Sequence, residues 1–128
     1  MGAVIKSIVP ILRVAGLDAS VAYYVERLGF TVDWREAGVM ASVSRDGKAI
    51  MLCEGGQGNP GTWMWIGVKD AAALHVELAA RGAIIRRPPA NFPWALEVHV
   101  TDLDGHVLRF GSEPLDGRPF DSWDPAAG

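Results

Sequence analysis

The sequence predicts an α+β fold, two tandem βαβββ modules in one domain. Three observations carry this. The chain repeats itself, with copies starting about 54 residues apart. An Asp-Gly pair stands late in each copy, at Asp46-Gly47 and Asp104-Gly105. Such a pair is a strong hairpin signal, because the turn needs positive φ. Between the copies lies GGQGNPG, Gly55 to Gly61, which has the composition of a linker. The modules then span about residues 4–55 and 62–113, and residues 114–128 form a C-terminal tail.

Each element has its own signal. Ile8 to Val14 is rich in branched aliphatics and reads as a strand. Asp18 and Ser20 offer helix caps, and Val21, Tyr24, Val25 and Leu28 fall at helical spacing. Gly29 closes that helix and FTVDW opens a strand. VSRDGKAIML completes the first copy as strand, turn and strand. In the second copy Trp63 to Val68 is the strand and Asp70 the cap. Leu74, Leu78 and Ala79 form the apolar stripe of the helix, Gly82 ends it, and AIIRR begins the next strand. VTDLDGHVLRF closes the second copy around its own Asp-Gly turn. Neither half has enough apolar residues for a core of its own, so the two must pack together.

Composition narrows the function. Apolar residues make up 49% of the 128, charged residues 21%, and the net charge is −3. There is no basic block, which argues against a nucleic-acid partner. The apolar start, MGAVIKSIVPILRV, is broken by Lys6, Pro10 and Arg13. It is too short for a membrane span and lacks the long core of a signal peptide, so a cytoplasmic protein without a membrane partner is expected. Cys53 is the lone cysteine and reads as a small buried hydrophobe. Five tryptophans are many for this length. Trp63 and Trp65 are two apart on one strand, so both face the same side of a sheet.

The repeated βαβββ pattern, from about Ile8 to Phe110, resembles the vicinal oxygen chelate superfamily, which includes glyoxalases, extradiol dioxygenases and bleomycin-resistance proteins. The resemblance implies that each module curls its mixed sheet and that paired modules enclose a cleft, often in a homodimer. Enzymes of that superfamily hold a divalent metal with His and Glu from the first and last strand of each module. The matching positions here are Val9, Met51, Trp63 and Arg109. An aliphatic, a thioether, an indole and a guanidinium make no divalent-metal site, so neither metal nor other cofactor is expected. Of the histidines, His75 reads as solvated on a helix, His106 as part of a turn, and His99 as a strand residue sharing a face with Glu97.

The bleomycin-resistance proteins are metal-free binders, and the motifs V-P-I-L, L-G-F-T-V-D-W and P-W-A-L-E resemble theirs. By position the resemblance carries over Trp34, Trp65 and Trp94 as walls of a ligand groove. Trp63, Val39, Glu97, His99 and Arg109 complete the expected ligand-binding set. The expected partner is a small planar aromatic molecule stacking on indole, with Asp33, Glu36 or Glu97 facing any positive charge. Solvent-facing is the simpler reading of Glu36. Arg109 has two readings, a partner for a ligand carboxylate or for Glu97. Two further functions stay open from sequence. One is a metal-independent enzyme using Glu97, His99 or Arg109. The other is a metalloenzyme with its ligands placed elsewhere. In the tail, Phe120 and Trp123 either fold back on the domain or a partner chain, or stay unordered.

Overall fold

The computed structural model describes residues 2–123, so residues 124–128 of the expected tail lie outside the described residues. Among the described residues the order is β1 (Ile11–Val14), α1 (Leu17–Glu26), β2 (Thr31–Glu36), β3 (Met40–Arg45) and β4 (Lys48–Glu54). Then follow β5 (Trp63–Gly67), α2 (Ala71–Ala80), β6 (Ile84–Asn91), β7 (Leu96–Thr101) and β8 (Val107–Ser112). Two four-stranded mixed sheets result, ordered β1-β4-β3-β2 and β5-β8-β7-β6, each with its first and last strands parallel. No helix among the described residues is long and apolar enough to cross a membrane.

Strand alternation gives each sheet one face for the core. Leu12, Val14, Val43 and Leu52 turn inward onto Leu17, Val21 and Tyr24 of α1. Val98, Val100 and Leu108 join Leu78 of α2 in the same cluster. The opposite faces carry two matching cross-strand rows. In the first sheet the row is Ile11, Met51, Ser42 and Trp34. In the second it is Trp65, Arg109, His99 and Arg87. Met51 and Arg109 are thus equivalent positions, as the resemblance implies.

Two local expectations are corrected. β1 begins at Ile11, not Ile8: Pro10 has no N–H to extend the ladder, and only its carbonyl is used, by Met51 N at 2.9 Å. Neither Asp18 nor Ser20 caps α1. Its N-cap is Gly16, and the orphan N–H of Leu17 is taken by Glu54 Oε2 from the end of β4 at 3.0 Å. Asp70 does cap α2, accepting from Ala73 N at 3.0 Å. The ring of His106 follows the turn but is buried. Its Nδ1 accepts from Thr62 N at 3.0 Å, so Nε2 carries the proton and donates to Arg13 O at 2.6 Å.

His106 belongs to the junction between the sheets. Asp102 Oδ1 accepts from the backbone N–H of Asp104 and His106, and Oδ2 accepts the Tyr24 hydroxyl of α1 at 2.7 Å. Tyr23 donates its hydroxyl to Thr101 O and accepts from Ile84 N, both at 2.8 Å. Asp104 accepts from Ala15 N at 2.8 Å and from the Ser20 hydroxyl at 2.9 Å.

Candidate functional site

β7 is buried on both faces, which is unusual for a strand with one helix layer. Val98 and Val100 meet the helix side. On the other side stand Glu97 and His99, each with no exposed surface. A carboxylate in that position costs several kcal/mol unless it is fully hydrogen-bonded. The surrounding strands supply the donors.

Arg109 of β8 donates through Nε to Glu97 Oε1 and through Nη2 to Oε2, both at 3.0 Å. Trp94 Nε1 donates to Oε2 at 2.7 Å, and Trp65 Nε1 to the same oxygen at 3.2 Å. His99 Nε2 lies 2.9 Å from Oε1, and since an ionised carboxylate only accepts, Nε2 carries the proton. Burial alone pushes the Glu97 carboxyl up. The bonds from Arg109, His99, Trp94 and Trp65 outweigh burial and hold it down at about 2. Burial also lowers the His99 pKa, against the pull of Glu97, so the ring is neutral at physiological pH. Its Nδ1 is buried and has no hydrogen-bond partner among the described residues.

The indoles form a half-exposed surface around this hub. Trp63, Trp65 and Trp94 are 45%, 55% and 51% exposed, so each keeps a face for another molecule. Trp65 lies over Gly111 and Gly67, where no side chain intervenes. A Cβ on Gly111 would come within 2.5 Å of the indole. Trp63 sets its ring edge-to-face with His99 at 6.2 Å and receives the Arg86 guanidinium at 5.0 Å. Trp94 stacks on Phe92 at 4.9 Å with 6° between planes. Phe92 was not anticipated from sequence, although its place two residues before Trp94 puts it within reach.

Trp34 and Val39 stand apart from this cluster. Trp34 lies on β2, the edge of the first sheet, with 44% of its surface exposed and no ring contact among the described residues. Val39 is exposed at the turn before β3. Asp33 is engaged by the hydroxyls of Ser42 and Ser44 at 2.9 and 2.7 Å, and Glu36 faces solvent. Cys53 is buried, as expected. His75 is half-buried on α2, away from the hub. A separate cleft of about 1100 Å³ opens between the modules, lined by Pro10, Phe30, Ile50, Met64 and Ile66, with Trp65 of the hub at its border.

The donor set does not fit a divalent cation. Arg109 places a fixed positive charge, already paired with Glu97, where a last-strand ligand would stand. Among the described residues no three His, Cys, Asp or Glu side chains converge.

Comparison with known proteins gives one family and one fold. Residues 5–110 match the family model of the Glyoxalase/Bleomycin resistance protein/Dioxygenase superfamily. No curated protein matches the sequence. Among solved structures, the bleomycin-binding protein of Streptomyces verticillus, complexed with copper(II)-bleomycin, superposes with a TM-score of 0.75 at 24% identity, covering 87% of this chain and 98% of that one. TnmS3, an antibiotic binding protein from Streptomyces sp. CB03234, gives 0.76 at 21% identity, covering 90% and 100%. TioX from Micromonospora sp. ML1 gives 0.75 at 23% identity, covering 84% and 98%.

Proposed function

The chain belongs to the glyoxalase/bleomycin resistance protein/dioxygenase superfamily, and we propose that within it the protein is a metal-free binder of a planar aromatic small molecule, an antibiotic among the candidates. The observation that carries this reading is the Glu97 hub. One saturated carboxylate fixes the edges of Trp65 and Trp94 and leaves their faces half open. Rings held rigid in this way lose little entropy when a ligand stacks on them. The solved structures of an antibiotic binding protein and a bleomycin-binding protein with the same fold agree with the reading. The enzymatic alternative gains nothing from the geometry. A base at Glu97 would need a free lone pair and a pKa nearer the working pH, whereas this carboxylate is held ionised by the donors around it.

Tryptophan fluorescence titrated with planar antibiotics, copper(II)-bleomycin among them, tests the proposal. A saturable response without turnover is the expected result. Trp65→Ala should weaken the binding by about 1–3 kcal/mol. Gly111→Ala should weaken it too, because the added methyl pushes the Trp65 ring off its glycine floor. Turnover of a compound, or affinities indifferent to both changes, would sink the proposal.

The same reading includes a homodimer. Trp34 and Val39 enter a groove with the indoles of the second sheet if a first-module face of one copy meets a second-module face of another. Val4, Ile5 and Ile8, each at least 78% exposed, supply apolar surface for such pairing. Sedimentation equilibrium should give about twice the 13.7 kDa chain mass. A monomer at concentrations of tens of micromolar would refute the pairing.

A further inference from the structure

After β8 the chain crosses back over the second sheet as a strap. Asn91, buried at the end of β6, clasps it twice. Its side chain accepts from Leu115 N at 2.8 Å and donates to Leu115 O at 3.2 Å. Its backbone N–H donates to Asp121 Oδ2 at 2.7 Å, and its carbonyl accepts from Asp121 N at 2.8 Å. Arg87 adds a bond to Ser122 O at 3.1 Å. Between the clasps the strap is exposed, Phe120 included. It is therefore held by a few polar contacts and not by a buried apolar seam.

The strap delivers Trp123 onto the hub. The Arg109 guanidinium lies 4.9 Å from the Trp123 ring centroid. Phe92 and Trp94 meet the ring edge-to-face at 5.5 and 5.6 Å, and His99 at 6.4 Å. A planar heteroaromatic between a cation and three aromatic edges has the surroundings of a bound ligand. The His99 ring, 6.4 Å from that of Trp123, carries a buried Nδ1 that has no hydrogen-bond partner among the described residues.

We infer that Trp123 is a resident stand-in for the ligand ring: a planar aromatic with its own ring N–H or O–H displaces the strap, occupies the Trp123 position and donates to His99 Nδ1. This rests on the binding role proposed above and adds where the ring sits, which donor it needs and what it must displace. The strap competes at the high local concentration of a tethered group, so the affinity of the free protein is reduced by its closed fraction.

Indole tests this, because it is the side chain of Trp123 and requires no antibiotic. Binding is followed by NMR on protein labelled with 5-fluorotryptophan. Trp123→Ala should bind indole roughly ten-fold more tightly than the unaltered protein, with the largest shifts at Trp94 and Trp63. Asp121→Ala, which keeps the indole and loosens one clasp, should fall between the two. 1-Methylindole, without the N–H, should bind Trp123→Ala several-fold more weakly than indole. Circular dichroism of each variant checks that it folds. Equal or weaker indole binding by both variants overturns the stand-in, and equal binding of the two indoles overturns the role of His99. If no antibiotic binds but indole still prefers Trp123→Ala, the strap inference survives and the antibiotic reading fails. If antibiotics bind and indole ignores the strap, the reverse holds.

Discussion

Replacing Glu97 with alanine is expected to lower folding stability by about 3–5 kcal/mol, read as a fall in the urea midpoint without a change in slope. The cost has one origin. Arg109, with a quarter of its side chain exposed, loses both of its carboxylate bonds, and the Trp65 and Trp94 N–H groups lose their acceptor. Glu97→Gln keeps the volume and one acceptor oxygen but removes the charge, so it should cost less than alanine and more than a surface change. The pH dependence gives a second reading of the same group. Its folded pKa, about 2, lies below its ordinary value of 4.5. A depressed carboxylate contributes its full stability above the ordinary value and loses it as the pH falls toward the folded one. The difference between the unaltered protein and Glu97→Gln should therefore be on the order of 3 kcal/mol at neutral pH and shrink between about pH 5 and pH 2. A difference that stays constant across that range would mean that Glu97 is not the charged centre of the site.

How far the sequence led depends on the range of the interaction. The repeated order of elements follows from patterns within each copy and the equivalence of Met51 and Arg109 from the resemblance, and the sheets show both, whereas the parallel pairing of first and last strands is seen only in the structure. Period-two alternation placed Trp63 and Trp65 on one face. The hub needed more. It arises because register sets Arg109 beside both Trp65 and His99, and Gly111 beside Glu97. No short-range pattern fixes those offsets. A signal was present all the same, in L-E-V-H-V. A charged residue buried between Leu96 and Val98, on the face away from the helix, must be met by donors. The α1 cap was misplaced for the same reason, since Glu54 reaches the helix start from the end of β4 and Asp104 from a distant turn. The tail left two outcomes open, and the structure selects the folded one for Trp123, which rests against Arg109. Phe120, named with it, stays exposed.

The relative placement of the two sheet faces rests on Asp102, and its removal carries the other large effect. Asp102→Ala should cost about 2–4 kcal/mol. Three donors depend on this carboxylate: two backbone N–H groups of the turn into β8, and the Tyr24 hydroxyl, which has no exposed surface. Burial, reinforced by Asp102, raises the Tyr24 pKa well above its ordinary value, so the hydroxyl stays protonated and remains a donor at any working pH. Tyr24→Phe removes the hydroxyl but leaves the turn intact, and about 1 kcal/mol is expected from it. The double variant should then cost less than the sum of the two, with a coupling of about 0.5–2 kcal/mol, because the second change finds its partner already gone. The same variants bear on function. The turn that Asp102 organises leads into β8, which carries Arg109, and Tyr24 ties that turn to the first module. Loosening it should broaden the 5-fluorotryptophan resonances of Trp63 and Trp65 while leaving that of Trp34, on the far edge of the other sheet, unchanged. Additive energies would mean that the two groups do not act as a pair. Broadening confined to Trp34 would mean that the junction does not hold the second sheet in place.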